Sequence, residues 1–326
     1  GYGTDFYKKH KVCTLRPQGN DIIRTWLYYT LLKCYLLTKK VIFKDVWINF
    51  MIVDEQGRKM AKSLGNVIDP NEIINKYGAE PLRFWAAFEG NLTKQDFRCS
   101  FERIEKAQAV IIKLWNVARF ISQFIDEIKN LEKETSEGNE ENFEKKIVND
   151  LDRLMIKETN KLISFSKKCY LKYDFHNPSI KIRNFLWEIF ASNYLEMVKV
   201  RVYDKNNEKF SKEERESALL TLSYCIKNIL KLLAPIIPFV TYKIFKEFYE
   251  KNIHKESFPI GIKLKTKPSF TIKQIIALNS RIWKRKKKLN LPLNAEIEEF
   301  KISKNLKSIE KDIQLTHKIK NITYKL

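Results

Sequence analysis

The chain is 326 residues long, 44% hydrophobic and 13% aromatic, which argues against intrinsic disorder and allows two or three compact units with real cores. Only 9 Gly and 9 Pro disfavour a turn-rich β-protein and favour long helices. Lys plus Arg outnumber Asp plus Glu by 61 to 39, a formal charge of +22, and such an excess favours a polyanionic partner because each neutralised phosphate releases counterions. An AT-rich coding bias also enriches lysine, but lysine bias alone need not raise the net charge this far. The five cysteines, Cys13, Cys34, Cys99, Cys169 and Cys225, form no C-x-x-C pair, and the histidines are scattered. No protein-bound metal and no disulfide framework are therefore expected, and a reducing cytoplasm fits. The absence of a signal peptide and of any apolar run of about 18 residues leaves no membrane span to expect.

In chain order, Val12–Leu15 reads as a short strand, and Gly19 opens a helix expected to run to about Leu37. Asp45–Val53 alternates like a second strand and ends in the turn-forming Asp54-Glu55-Gln56-Gly57. A polar loop, Arg58–Asn66, follows. Strand, helix, strand and loop are what one half of a doubly wound α/β sheet contributes. Asp69 can cap a helix with Pro70 in its first turn. Two short helices and an extended piece at Asp96–Arg98 complete a small connecting unit.

After Ser100 helical stripes dominate: Ile104, Ala107, Ile111, Leu114, Ala118 and Ile121; then Ile182, Phe185, Ile189, Phe190 and Met197; then Leu219, Leu222, Ile226, Ile229 and Leu233. Each is the core-facing face of a bundle helix. Leu131–Glu144, rich in Glu and Asn, reads as a loop between bundle helices. Pro235 and Pro238 interrupt a long helix. Beyond Pro259 the chain becomes more basic. A helix over Lys273–Lys288 ends in Lys284-Arg285-Lys286-Lys287-Lys288, Glu296–Ile302 alternates like a strand, and a last helix and strand are expected.

The chemistry concentrates at Gly57-Arg58-Lys59-Met60-Ala61-Lys62-Ser63-Leu64-Gly65-Asn66. Two lysines three positions apart and a hydroxyl, on a glycine-flanked loop leaving a strand, can follow phosphate charge as it develops. A solvated surface loop is the plain alternative. The run, with its following G-N-V-x-x-P, resembles the KMSKS signature loop of class I aminoacyl-tRNA synthetases, with Ala61 where serine is usual. The resemblance implies that Lys59, Lys62 and Ser63 are catalytic residues that stabilise the pyrophosphate leaving group of ATP. Upstream, Gly19-Asn20-Asp21-Ile22-Ile23-Arg24-Thr25-Trp26 resembles the G-x-D element of the same family. It implies close nucleotide approach at Gly19, ribose binding by Asp21, and ATP binding by Gly19, Asp21 and Lys62. The I-I-R-T-W form is similar to that of archaeal and eukaryote-like valyl members, in which Ile22 and Trp26 would shape the amino-acid pocket; simple core packing of both is the alternative.

Arg83–Ala87, Lys113–Phe120, Asn184–Lys199, Leu233–Phe239 and Asn290–Ala295 also look valyl-like, so the resemblance covers essentially the whole chain. It implies a mostly α protein with a partial Rossmann-like α/β catalytic half over 1–68, a stem-contact unit over 69–100, an anticodon-binding bundle over 101–255, and a basic α+β region over 256–326. The implied partners are tRNA(Val), valine and ATP, the last with Mg2+. Lys199, Arg201, Arg281, Lys284, Arg285 and Lys286 are candidate phosphate contacts, each with a solvated basic face as its alternative. Trp115, Trp187 and Tyr194 fall on apolar faces and are expected to pack in the core. The HIGH-containing first half of such a site is not found, and Gly1 is not a start methionine. A truncated chain, or a split enzyme whose N-terminal half is a separate polypeptide, would account for both. Such a chain is not expected to be active alone. Isoleucine in place of valine, or a non-catalytic tRNA binder, are the rival functions.

Overall fold

The computed structural model describes residues 3–91, 96–136 and 140–325. The chain forms two compact units, Gly1–Gln108 with Cys169–Asn177, and Ala109–Lys168 with Pro178–Leu326. Among the described residues no helix is long and apolar enough to cross a membrane.

In the first unit, a short helix α1 (Asp5–Lys9) precedes strand β1 (Cys13–Gly19). β1 pairs in parallel with β2 (Phe43–Asn49), in a register running from Cys13↔Phe43 to Gly19↔Asn49. Parallel pairing needs a crossover, and a helix supplies it. That helix is not the uniform one expected from Gly19. It opens with a 3-10 turn at Asn20–Ile22, widens to π geometry over Ile23–Leu27, and becomes regular only in α2 (Tyr28–Thr38). Side chains draw on its carbonyls: Thr25 donates to Ile22 O at 3.4 Å, Thr30 to Trp26 O at 2.5 Å, and the buried Gln18 amide reaches Ile22 O at 3.5 Å. Such local bonds compete with the regular ladder.

The single strand expected over Asp45–Val53 is two. At Met51 the chain leaves β1 and joins β4 (Phe97–Arg98): Asp96 Oδ1 takes the Met51 amide at 2.8 Å, and Phe97 N donates to Met51 O at 3.1 Å. The following β3 (Ile52–Val53) pairs in parallel with β4. Asp69 caps α3 (Pro70–Tyr77) through the Asn71 amide at 2.8 Å. α4 (Ala79–Glu89) buries Phe84 and Trp85, the latter 5.3 Å from the Phe97 ring. Residues 169–177 join this unit, with Phe175 5.6 Å from the Trp47 ring and Tyr173 donating to Asp45 at 3.2 Å.

The second unit is a helical bundle. It takes in the body of α5 (Phe101–Ser122), α6 (Ile125–Ser136), α7 (Glu140–Lys146), α8 (Asp150–Tyr170) and α9 (His176–Asn184). A π-helix over Phe185–Tyr194 runs into α10 (Leu195–Tyr203), followed by α11 (Lys212–Leu233) and α12 (Pro238–Tyr249). Two of the apolar stripes read from the sequence are buried throughout. In the remaining stripe, from Ile182 to Met197, Ile189 is only half-buried, because i→i+5 bonding over Phe185–Tyr194 rotates the stripe out of its 3.6-residue phase. The loop expected over Leu131–Glu144 is a correction: α6 runs through Ser136 and α7 begins at Glu140, residues 137–139 lying outside those described. Buried Ile128, Leu131 and Ile147 hold this acidic stretch to the bundle. α11 starts with a capping box at Ser211 and ends before the Pro235–Pro238 segment, with Pro238 opening α12. Trp115 is 36% exposed and Trp187 carries Lys113 over its ring, so of the three aromatics expected in the core only Tyr194 is fully inside.

The C-terminal layer of this unit has α13 (Ile272–Lys288), capped by a Thr271 box, then β5 (Ile297–Ser303), α14 (Glu310–His317) and β6 (Ile319–Lys325). β5 and β6 are parallel, with α14 as their crossover. A buried network ties α14 to the bundle. Arg201 is fully buried; its two terminal nitrogens each lie 2.8 Å from Asp152 and its Nε 2.7 Å from Asp312. Tyr194 and Ser217 also donate to Asp152, at 2.7 and 2.6 Å, and Asn149 to Asp312 at 3.0 Å. Burial holds the Asp312 carboxyl above its usual range, with Arg201 pulling the other way.

Candidate functional site

In the first unit the Gly19–Trp26 segment leaves the carboxyl end of β1, and the lysine-bearing loop follows β3, which begins at Ile52 just past the carboxyl end of β2 and pairs with β4 in a second small sheet. Gly19 closes β1 opposite Asn49, the last residue of β2, so both strands end there in register. Carboxyl ends of parallel strands are where open α/β sheets place ligands. At the β1 end, a Cβ on Gly19 would come 2.8 Å from Asp21 Oδ1. Glycine therefore lets the carboxylate fold back over the backbone, and any larger residue would displace it. Asp21, Ile22 and Trp26 are exposed, Trp26 by 65%. The structure thus does not place Ile22 and Trp26 in a core.

The second segment is shaped by a carboxylate that sequence reasoning passed over. Gly57, at φ 86°, closes a turn in which its amide donates to Asp54 O at 3.0 Å, and Val53 bridges Lys59. The buried Asp54 side chain accepts from Arg58 N at 2.7 Å, Arg58 Nε at 2.8 Å and Asn66 Nδ2 at 2.8 Å. Asn66 in turn donates to Lys59 O at 3.2 Å and accepts from Ala61 N at 2.9 Å. The Asn66 amide, then the Arg58 backbone and guanidinium, lower the Asp54 pKa to about 2 against the opposing effect of burial. Lys62–Leu64 makes one 3-10 turn, closed by Gly65 in left-handed conformation at φ 62°. The base of the loop is therefore clamped while Lys59, Lys62 and Ser63 project into solvent. Among the described residues neither lysine has an ion-pair partner. The G-N dipeptide after the loop and the Asp four residues before Arg58 were the signal for this clamp, and only the contact between them gives it meaning.

The basic candidates divide. Lys199 is half-buried and paired with Glu196 at 2.6 Å. Arg281 is exposed, donating to Lys301 O at 3.2 Å and lying over the Phe300 ring; Lys284 and Arg285 are exposed on the same helix. Two candidates are corrected. Arg201 is consumed by Asp152 and Asp312 and cannot reach a phosphate. Lys286 is fully buried, with its ammonium on Leu293 O at 2.7 Å and His317 O at 2.8 Å; burial and then Lys318 lower its pKa. Among the described residues no group of three His, Cys, Asp or Glu side chains could hold a metal ion.

Comparison with known proteins gives this arrangement its class. A family profile described as tRNA synthetases class I (I, L, M and V) matches residues 4–99, and one described as the anticodon-binding domain of tRNA ligase matches residues 152–302. Among solved structures, the chain superimposes on the Mycobacterium tuberculosis methionyl-tRNA synthetase in complex with methionyl-adenylate with TM-score 0.56 and 16% identity, covering 83% of this chain and 52% of that one. It also matches the LeuRS of the Agrobacterium radiobacter LeuRS-tRNA-LeuAMS ternary complex, with TM-score 0.57 and 15% identity over 76% of this chain and 28% of that one. At such identities these two likenesses speak for the fold. The sequence relatives narrow the class. The chain is 35% identical to the valine–tRNA ligase of Aeropyrum pernix over 98% of its length, and 36% identical to that of Pyrobaculum aerophilum over 97%. It belongs to the class I aminoacyl-tRNA synthetases, in the family of the archaeal valine–tRNA ligases, and a C-terminal part of those enzymes fits the match. It spans 38% of the length of either relative.

Proposed function

We propose that the chain is the part of a valine–tRNA ligase that carries the signature loop and the tRNA-binding helices. It takes part in activating valine with ATP to valyl-adenylate and in passing valine to tRNA(Val). The observation that carries this reading is the pair of unpartnered lysines on a loop whose base is clamped. As the valine carboxylate attacks the α-phosphate, negative charge moves onto the departing pyrophosphate. The ammonium groups of Lys59 and Lys62 lie free to balance it, with the Ser63 hydroxyl as a further donor. Because Asp54 and Asn66 fix the backbone at both ends of the turn, little ordering is left for the reaction to require.

Asp21 accepts from the ribose hydroxyls, Gly19 gives the nucleotide room, and Ile22 with Trp26 forms the apolar side of the valine pocket. ATP enters with Mg2+ as part of the substrate. Residues 69–100 contact the acceptor stem, 101–255 receive the anticodon arm, and 256–326 support them. The exposed apolar face around Trp26 is where the rest of the catalytic domain would dock, whether on the same polypeptide or on a separate N-terminal half. In the enzyme assembled with that half, Lys62→Ala is expected to lower valine-dependent pyrophosphate exchange by about 10²–10³-fold. A rate near wild type would remove the assigned role of Lys62, and faster exchange with isoleucine than with valine would overturn the amino-acid assignment.

A further inference from the structure

The glycine at the turn before the signature loop is constrained by more than its φ of 86°. A Cβ built on Gly57 would meet three atoms of the Arg98 guanidinium at nearly equal distances, Nη2 at 3.4 Å, Nε at 3.5 Å and Cζ at 3.7 Å. Such even spacing means that the planar group turns its face, not its edge, to the turn. A guanidinium held by its face keeps its N–H fork free at the rim, where the donors match a phosphate. Arg98 is exposed, and neither an ion pair nor a side-chain hydrogen bond engages it among the described residues.

The strand register brings this group to the lysines. Arg98 pairs with Val53 in the parallel β3–β4 ladder, and Lys59 bridges the same Val53 from the other side. Neighbouring strands are about 4.8 Å apart, so the Arg98 and Lys59 backbones lie about 10 Å from each other across one buried valine. Two long side chains span that gap and can meet one anion. The nearby carboxylates do not cancel the charge. Asp54 is taken up by Arg58 and Asn66, and Asp96 has one oxygen on the Met51 amide at 2.8 Å. Glu55, exposed in the same turn, forms no ion pair among the described residues. Arg98, Lys59 and Lys62 outnumber Glu55 and Asp96, which leaves this rim of the loop positive.

We propose that Arg98 is a third phosphate-binding residue of the site, a cation from outside the signature motif that takes the departing pyrophosphate together with Lys59 and Lys62. The proposal rests on the nucleotide reading above. A valine carboxylate oxygen bonds to the α-phosphorus as the bond from that phosphorus to the bridging oxygen breaks. The electron pair leaves on pyrophosphate, and the Arg98 fork donates hydrogen bonds to it without giving up a proton. The lysines sit on a loop, whereas Arg98 sits on a strand and is seated on Gly57, so this contact is fixed before ATP arrives. Three cations within reach of one point suit an anion as dense as pyrophosphate better than the spaced phosphates of an RNA strand.

The test uses the enzyme assembled with its N-terminal half, with Lys62→Ala run alongside. Arg98→Gln is expected to lower kcat for valine-dependent pyrophosphate exchange by about tenfold or more, while KM for valine stays within about twofold. Arg98→Lys keeps the charge and should recover to within about threefold of wild type. Lys44→Gln removes the same charge from an exposed position on β2 and should leave exchange within about twofold. An unchanged rate in Arg98→Gln overturns the proposal. So does an equal loss in both Arg98 variants, because the rate would then follow side-chain shape and not charge. A loss that tracks a lowered Tm marks a brace for the Gly57 turn and counts equally against a phosphate contact. Normal exchange with impaired transfer to tRNA puts the cation on RNA and also overturns it. If Lys62→Ala alone is impaired, the reading of the loop stands and Arg98 is removed from it; if Lys62→Ala exchanges like wild type, that reading falls and Arg98 with it.

Discussion

The first fifty residues and the helical bundle are similar in their supply of large apolar side chains and opposite in what they do with them. Between Gly3 and Phe50, Leu27 is the one apolar side chain that is buried, while Trp26, Tyr29, Leu36 and Leu37 are each more than half exposed. In the bundle, α11 alone buries nearly every residue from Glu216 to Leu233. An apolar face must be covered by another layer, and the bundle has one on every side, whereas the β1–α2–β2 piece has a two-stranded sheet and a helix in which no residue is buried. The first region has its secondary structure without a buried core of its own. The difference teaches that local pattern and tertiary burial are separable, and that the first region is the less self-sufficient of the two.

Substitutions sharpen this contrast. The largest effect is expected in the bundle: Arg201→Ala leaves two buried carboxylates without their cation and should cost about 3–5 kcal/mol in urea unfolding. A loss below about 1 kcal/mol would show that the network is not what anchors α14. Next comes His317, which burial, and then Lys286, push down from 6.5 to about 4. A depressed pKa favours the neutral ring in the folded state, so its stabilisation is full above pH 6.5 and is lost as pH falls towards 4. At 1.36 kcal/mol per unit the loss is about 3 kcal/mol. It should appear as the difference between wild-type and His317→Gln unfolding curves over that window, and parallel curves would contradict it. Smaller is Asn66→Ala, which removes the acceptor for the Ala61 amide. Hydrogen exchange at that amide should quicken by about tenfold, a change confined to the first unit. The smallest effect belongs to Trp26→Ala, which should alter stability by less than about 0.5 kcal/mol in this chain. A loss of several kcal/mol would break the comparison, because it would mean that Trp26 already packs somewhere.

Much of the scaffold was legible. Asp69-Pro70 starts α3 as read, Pro238 opens α12, and the C-terminal helix–strand–helix–strand order holds with ends shifted by a residue or two. These are local signals, carried by capping groups and proline geometry within a few residues. What failed depended on distance or on competition. The Glu- and Asn-rich stretch around Leu131 read as a loop by composition, yet a sparse apolar stripe was enough for helix once the bundle supplied its other side. Arg201 and Lys286 read as surface cations because nothing nearby in sequence announces Asp152, Asp312 or the carbonyl of His317. At the candidate site the lysines and glycines were visible as a motif. The Asp54–Asn66 clamp was not, since a hydrogen bond across twelve residues leaves no trace in periodicity.

The position of Asp312 also bears on how the molecule could be shortened. A chain cut at residue 302, where the anticodon-binding profile ends, would keep Arg201 and Asp152 but discard the second carboxylate together with Ile313 and the His317 carbonyl. The remnant would carry a guanidinium with one face stripped and a lysine ammonium with a missing acceptor, both at sites buried within the second unit. The last two dozen residues are thus a keystone rather than a tail, and a shortened form of the second unit would have to be trimmed from the other end.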